Sequence, residues 1–139
     1  MMQSLTTLLH DGNHTLVVAG GDGEVRTFDR RGVADLFDLL TAEPRFLRGA
    51  IVADKVVGKG AAALMISGGV AEVHADIISE AALALFAESN VNVRVSFDRQ
   101  VPFIRNRAGT GCCPVEALCR DCATAAECLP RIRNFILNS

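Results

Sequence analysis

Every cysteine of the chain lies in one stretch, GCCPVEALCRDCATAAEC, between Cys112 and Cys128. Thiols crowded this way can hold a metal, supply one reactive thiolate, or fill a helix interface. From Cys113 the spacing is C-x5-C-x2-C-x5-C. A structural zinc site commonly uses two short C-x-x-C knuckles, and here only Cys119 and Cys122 form one. Those two share a helix face, and Cys113 and Cys128 flank them symmetrically. A hairpin of two tail helices would gather Cys113, Cys119, Cys122 and Cys128 around Zn²⁺ or an iron–sulfur cluster. Otherwise Cys119, Cys122 and Cys128 act as small hydrophobes between helices. Cys113 is a separate case. It stands just before Pro114, at a helix start, with Arg105 and Arg107 upstream. Helix N-termini and neighbouring cations lower a thiol's pKa, which makes Cys113 the candidate nucleophile. Glu116 reads either as a reciprocal cap at the third helical position or as an acid/base partner of Cys113.

A second group of residues is assembled by topology rather than by spacing. In open parallel sheets, ligands bind beyond the carboxyl ends of the strands. That rule selects Asp54 and Lys55 at one strand end, Gly58, Lys59 and Gly60 at the next helix start, and Asp76, Ser79 and Glu80 at the following crossover. Asn106, Arg107 and Thr110 join them from the loop before Cys113. Two helix N-termini would aim unpaired N–H groups at this region, and Lys55, Lys59, Arg105 and Arg107 would add positive charge. Together they favour a phosphate or carboxylate. DKVVGKG is not a phosphate-binding P-loop, because Ala53 and Gly60 stand where that loop needs Gly and Ser or Thr. The structural alternative is a tight turn at Gly58 and Gly60 with Asp54 paired to a lysine.

These groups need elements to position them. SLTTLLHDG places Leu5, Leu8 and Leu9 on one face of a short helix. HTLVVAG and EVRTFD flank Asp22-Gly23, a hairpin turn signal. Val33, Leu36, Phe37 and Leu40 follow helical spacing up to Pro44. GAIVAD, VAEVHAD and VNVRVSFD read as strands separated by two helices, GKGAAALMIS and SEAALALFAESN. Ser79 is the expected N-cap of the second. This alternation implies right-handed crossovers and a mixed, mostly parallel sheet. VPFIRNR would add an edge strand. In the tail, Thr124 to Glu127 is a capping-box pattern opening a last helix that Pro130 should kink or delay.

The bulk numbers narrow the function classes. The 139 residues make about one domain, with residues 110–139 as a Cys-rich helical tail. A net charge of −2 and the absence of Trp and Tyr argue against nucleic acid as a partner. No apolar run is long enough to span a membrane, and MMQSLTTLLHDG is not a signal peptide. A cytoplasmic protein with reduced thiols is the expectation. A small anionic molecule is the expected ligand. The kinked tail helix would cover a sheet edge or a second copy, so a homodimer is the macromolecular partner to look for.

The strings VADKVVGKGAAAL, SEAALALF and IRNRAGTGCCPVE, in this order of elements, resemble an uncharacterised prokaryotic family, domain-of-unknown-function family 1893. That family looks like a divergent branch of the cytidine deaminase-like superfamily. The resemblance implies a three-layer α/β/α sandwich, with the sequence adding an N-terminal hairpin and the helical tail. It does not imply deamination. A zinc deaminase needs H-x-E at one helix start and P-C-x-x-C at the next. The corresponding positions here hold Lys59, Gly60, Ala61 and Ala62, then Ser79, Glu80, Ala81 and Ala82. His74-Ala75-Asp76 imitates H-x-E, but on a strand and with the shorter Asp, so His74 reads as a satisfied strand residue. The expectation is a ligand-binding protein without a deaminase zinc centre. The alternative is a redox or metal-dependent enzyme, with zinc or iron–sulfur at the tail cysteines and Cys113 as its thiolate.

Overall fold

Successive strand residues face opposite sides of the sheet, and that alternation separates two cores. The computed structural model describes residues 1–138. Its elements run α1 (Met2–Asp11), β1 (Leu16–Ala19), β2 (Val25–Phe28), α2 (Ala34–Ala42), α3 (Pro44–Leu47), β3 (Ile51–Val57), α4 (Lys59–Gly68), β4 (Glu72–Ser79), α5 (Glu80–Glu88), β5 (Arg94–Val101), α6 (Pro114–Leu118) and α7 (Ala125–Leu137). The five strands form one sheet in the order β2-β1-β3-β4-β5.

The sheet is mixed. β1 pairs antiparallel with both β2 and β3, while β3–β4 and β4–β5 are parallel. The expectation of a mostly parallel sheet is therefore corrected. The hairpin contributes two antiparallel ladders, equal in number to the crossover pairs, because β1 docks directly against β3. The hairpin itself forms as its turn residues require: Gly23 has φ +88, and the Asp22 carboxylate accepts from the Glu24 N–H at 2.9 Å.

Helices lie on both faces, unequally. Leu16, Val18, Val52, Val73, Ala75 and Ile78 join the large core with α2 and α4 to α7. The alternate residues Val17, Ala19 and Ala53 form a smaller cluster with Leu5 and Leu9 of α1. A period of two puts these two sets on opposite faces of the sheet. Leu8, expected on the apolar face of α1, is instead 37% exposed. Beyond β3 the face that carries α1 is polar and uncovered: Arg94, Ser96 and Asp98 are exposed, and His74 and Asp76 are half-buried.

Central on the large face is α4, whose residues are almost all buried. Small side chains let it approach the sheet and its neighbours closely. It ends at Gly69, in the left-handed conformation (φ 75), which is the stop expected of a glycine there. Two strands run further than their apolar stretches indicate. β3 continues through Lys55 to Val57 and β4 through Asp76 to Ser79. VPFIRNR does not form an edge strand: beyond Val101 only an isolated bridge, Arg105 to Cys112, is made. α7 starts at Ala125 and runs through Pro130. It packs on α4 rather than along a sheet edge. No helix is long and apolar enough to cross a membrane.

Candidate functional site

The N-terminus of α4 is satisfied from within the chain. Glu116 is buried, and its Oε2 accepts from the Lys59 N–H at 2.5 Å while Oε1 accepts from the Ile104 N–H at 3.3 Å. It is thus not a reciprocal cap on its own helix, since the Cys113 N–H donates to the Ile104 carbonyl instead. A carboxylate at a helix N-terminus is where an anion is stabilised, and here the anion is a side chain. Lys59 is itself buried. Its Nζ donates to the carbonyls of Cys122 at 2.5 Å and Arg120 at 3.1 Å. The lysine ammonium thus closes the turn between α6 and α7.

The glycines explain how α6 comes so close. A Cβ on Gly58 would lie 2.7 Å from Glu116 Oε2, and one on Gly60 would collide with Val115 Cγ1. Ser79 does cap α5, accepting from the Ala82 N–H at 3.1 Å. Glu80 opens that helix with an acidic first turn. Asn106 and Thr110 bond each other: the Asn106 side-chain carbonyl accepts from the Thr110 N–H at 3.0 Å, and its amide donates to Thr110 Oγ1 at 3.2 Å. Arg107 is exposed on the same loop. Gly58, Lys59 and Glu116 are therefore brought together. Among the described residues, no hydrogen bond joins Ser79, Glu80, Asn106, Arg107 or Thr110 to them.

The cysteines divide. Cys119, Cys122 and Cys128 are buried in the large core, whereas Cys113 is only half-buried against its edge. Contact with the Cys128 thiol, aided by Lys59 and Arg131, holds the Cys119 thiol below its ordinary pKa. The same contact with Cys119, together with burial, pushes Cys128 well up. Burial raises Cys122. Cys113 stands at the N-cap position of α6, a helix of only 5 residues, without a side-chain capping bond.

The groups that do converge lie on the uncovered face. Register places Ala53, His74 and Ser96 in one row across β3, β4 and β5. Lys55, Asp76 and Asp98 fall in the next row. His74 Nδ1 shares a hydrogen bond with Ser96 Oγ at 2.8 Å, and Nε2 lies 3.2 Å from Asp98 Oδ1. From α1, His10 Nε2 meets Asp76 Oδ2 at 2.7 Å. Asp76 Oδ1 is buried and has no partner. Among the described residues, His74, Asp76 and Asp98 form the group whose potential ligand atoms all lie within 4.8 Å of one another. Beside this row Lys55 Nζ donates to Asn13 Oδ1 at 2.8 Å. Behind it Asp54 faces the core. Burial, and secondarily the charge of Asp76, raises its carboxyl to about 8, so it is held as the neutral acid at neutral pH.

Sequence reasoning selects Lys55 and Asp76 for a ligand region and sets His74 aside as a satisfied strand residue, but it passes over Asp98 and His10. The strings HAD and SFD carry the cluster, but alternation reveals only that His74 and Asp76 share a face. The parallel register of β4 against β5, and the docking of α1, bring Asp98 and His10 alongside.

Two surface hollows lie elsewhere. One, of about 460 Å³, is lined by Asp22, Arg26, Glu43, Arg45 and Phe46 at the hairpin end of the sheet. There Arg26 stacks on Phe46 at 4.0 Å and pairs with Glu24 and Glu43. The other, of about 250 Å³, lies between the end of α5 and the start of α7.

A family model described as TM1506, a domain of unknown function (DUF1893), matches residues 4–136. The chain belongs to the DUF1893 family. A crystal structure of a DUF1893 family protein (TM1506) from Thermotoga maritima is similar to it, with 25% sequence identity and a TM-score of 0.83. The match covers 96% of this chain and 88% of that one. No curated protein matches the chain. At the starts of α4 and α5, Lys59 is committed to backbone carbonyls and Ser79 to capping.

Proposed function

We propose that this chain binds a divalent transition-metal cation on the open face of its sheet, and through that cation a small anionic molecule. The observation that carries the reading is the convergence of His74, Asp76 and Asp98 within 4.8 Å, next to a buried Asp76 oxygen that lacks a partner. One imidazole and two carboxylates, with open positions left for water, suit Mn²⁺, Fe²⁺ or Zn²⁺. Ser96 orients the ring through Nδ1 and turns Nε2 towards Asp98, and His10 holds the other Asp76 oxygen from α1 on the same face. Lys55, one strand away in the same row, is placed to receive the anion's charge.

The strand order, with helices entered directly after β3 and β4, supports reading the fold as a divergent deaminase-like one. Hydrolytic deamination is not part of the proposal, because its zinc ligands have no counterpart.

Calorimetric titration of the metal-free protein with Mn²⁺ and Zn²⁺ near neutral pH tests the reading. One cation per chain is expected. His74→Ala and Asp76→Asn should each weaken binding by about tenfold or more. Saturating cation with inorganic phosphate or a nucleotide should then raise the melting temperature, and Lys55→Ala should reduce that rise. Absence of cation binding, or binding indifferent to both substitutions, would end the proposal.

A further inference from the structure

β5 is an edge strand of 8 residues with its outer side uncovered. The tail helix packs on α4 and leaves this edge open. An edge this long normally carries a device that discourages indiscriminate pairing, such as charged side chains, an internal proline or a bulge. RVSFDRQ, from Arg94 to Gln100, contains no proline, and its charges are of both signs: Arg94, Asp98 and Arg99. Charges of both signs repel most neighbours but can match a suitably registered partner. Arg94 and Asp98 are exposed, with side chains 80% and 63% accessible, and Phe97 is a large exposed apolar residue.

The order of these residues is self-complementary about Ser96. If a second copy of the strand lies antiparallel on a two-fold axis through Ser96, Arg94 faces the partner's Asp98, and Asp98 faces the partner's Arg94. On the other face Val95 meets the partner's Phe97. Moving the axis by one residue, to Val95, sets Arg94 against the partner's Ser96. Moving it to Phe97 pairs Arg94 with Gln100. Among these three registers only the Ser96-centred one matches opposite charges, and opposite charges directly across a ladder are favourable. Register is thereby specified as well as affinity.

We propose that β5 is a homodimer interface. Two copies pair antiparallel through it, Ser96 on Ser96, to give a continuous ten-stranded sheet of closed two-fold symmetry. The partner is another copy of this chain rather than a foreign peptide, because the complementarity lies within the strand itself. The contact is small for a stable dimer, so micromolar rather than nanomolar association follows.

Sedimentation at about 5–200 µM, in a chelator so that no cation occupies Asp98, is the test. Wild type should approach twice the 14.8 kDa chain mass as concentration rises. Arg94→Asp should raise the dissociation constant about tenfold or more. The charge-swapped Arg94→Asp/Asp98→Arg should recover most of the loss. Amide exchange across residues 95–100 should slow as concentration increases. This readout needs no variant and so is immune to misfolding. A monomer across the whole range would overturn the proposal. So would a dimer whose affinity ignores Arg94→Asp, or exchange in β5 that does not depend on concentration.

Discussion

Asp54 and Glu116 are both buried carboxyl groups, and their surroundings give them opposite roles. Glu116 receives two backbone N–H groups and sits at the start of α4, so its charge is compensated. Replacing it by Ala leaves a buried and a half-buried donor unpaired, at a cost of roughly 2–3 kcal/mol. Urea unfolding of Glu116→Ala should show this, with Glu116→Gln recovering part. Asp54 receives backbone N–H groups from its own strand alone, Val56 at 3.3 Å and Lys55, and burial lifts its carboxyl to about 8. In the unfolded chain its pKa is near 3.8. Between those two values the folded state holds a proton that the unfolded state has released. The favourable contribution is complete below the lower value and is lost as pH climbs towards 8, by roughly 1 kcal/mol per unit. Asp54→Asn keeps the Val56 contact and cannot ionise. Its stability should stay flatter than wild type from pH 5 to 8, and should exceed wild type at pH 8, as read by denaturant midpoints at each pH.

Among the elements, α4 and its contact with α6 decide how the chain closes. The glycines at its start serve close approach rather than a phosphate cradle. Gly60→Ala gains about 1 kcal/mol in helix propensity, but its methyl meets Val115 Cγ1. Overpacking of this kind costs about 1–3 kcal/mol, so a net loss of stability is expected. The companion Val115→Ala should make the double variant less unstable than the sum of the two single ones, a coupling that a double-mutant cycle measures. Lys59 fixes the opposite side of the same contact by holding the Arg120 and Cys122 carbonyls. The tail is tied to α4 by this ammonium, by Glu116 and by Ile132 in the large core. Three of the thiols face inward on that interface and Cys113 remains at its edge.

Across the whole molecule, the asymmetry of the two faces matters most. The large core can tolerate a local defect, but α1 is held by a few residues around Leu5 and Leu9. Leu9 is fully buried, and Leu9→Ala should cost about 2–5 kcal/mol if α1 stays docked, less if the helix simply detaches. Because His10 is the next residue and bonds Asp76, detachment should also weaken cation binding. Calorimetry on Leu9→Ala would link the two effects; unchanged affinity would place His10 outside the site's support.

Much of the architecture was legible in the residues. Periodicity exposes α1, the hairpin, α2, the strand–helix–strand–helix–strand core and α6, because local spacing and capping determine each within a few turns of chain. Ser79 and Thr124 announce their helices for the same reason, since a side-chain oxygen two or three residues from a bare N–H acts locally. The family was readable too, from strings such as DKVVGK. Three matters waited for the tertiary structure: how far β3 and β4 extend, which side of β3 the hairpin takes, and which polar groups meet. Strand extension past a charged residue depends on the neighbouring ladder, not on the residue. Glu116 reaches Lys59 across 57 positions, and His10 reaches Asp76 across 66. Contacts over such separations are set by register and helix docking, and no local pattern in the chain encodes them.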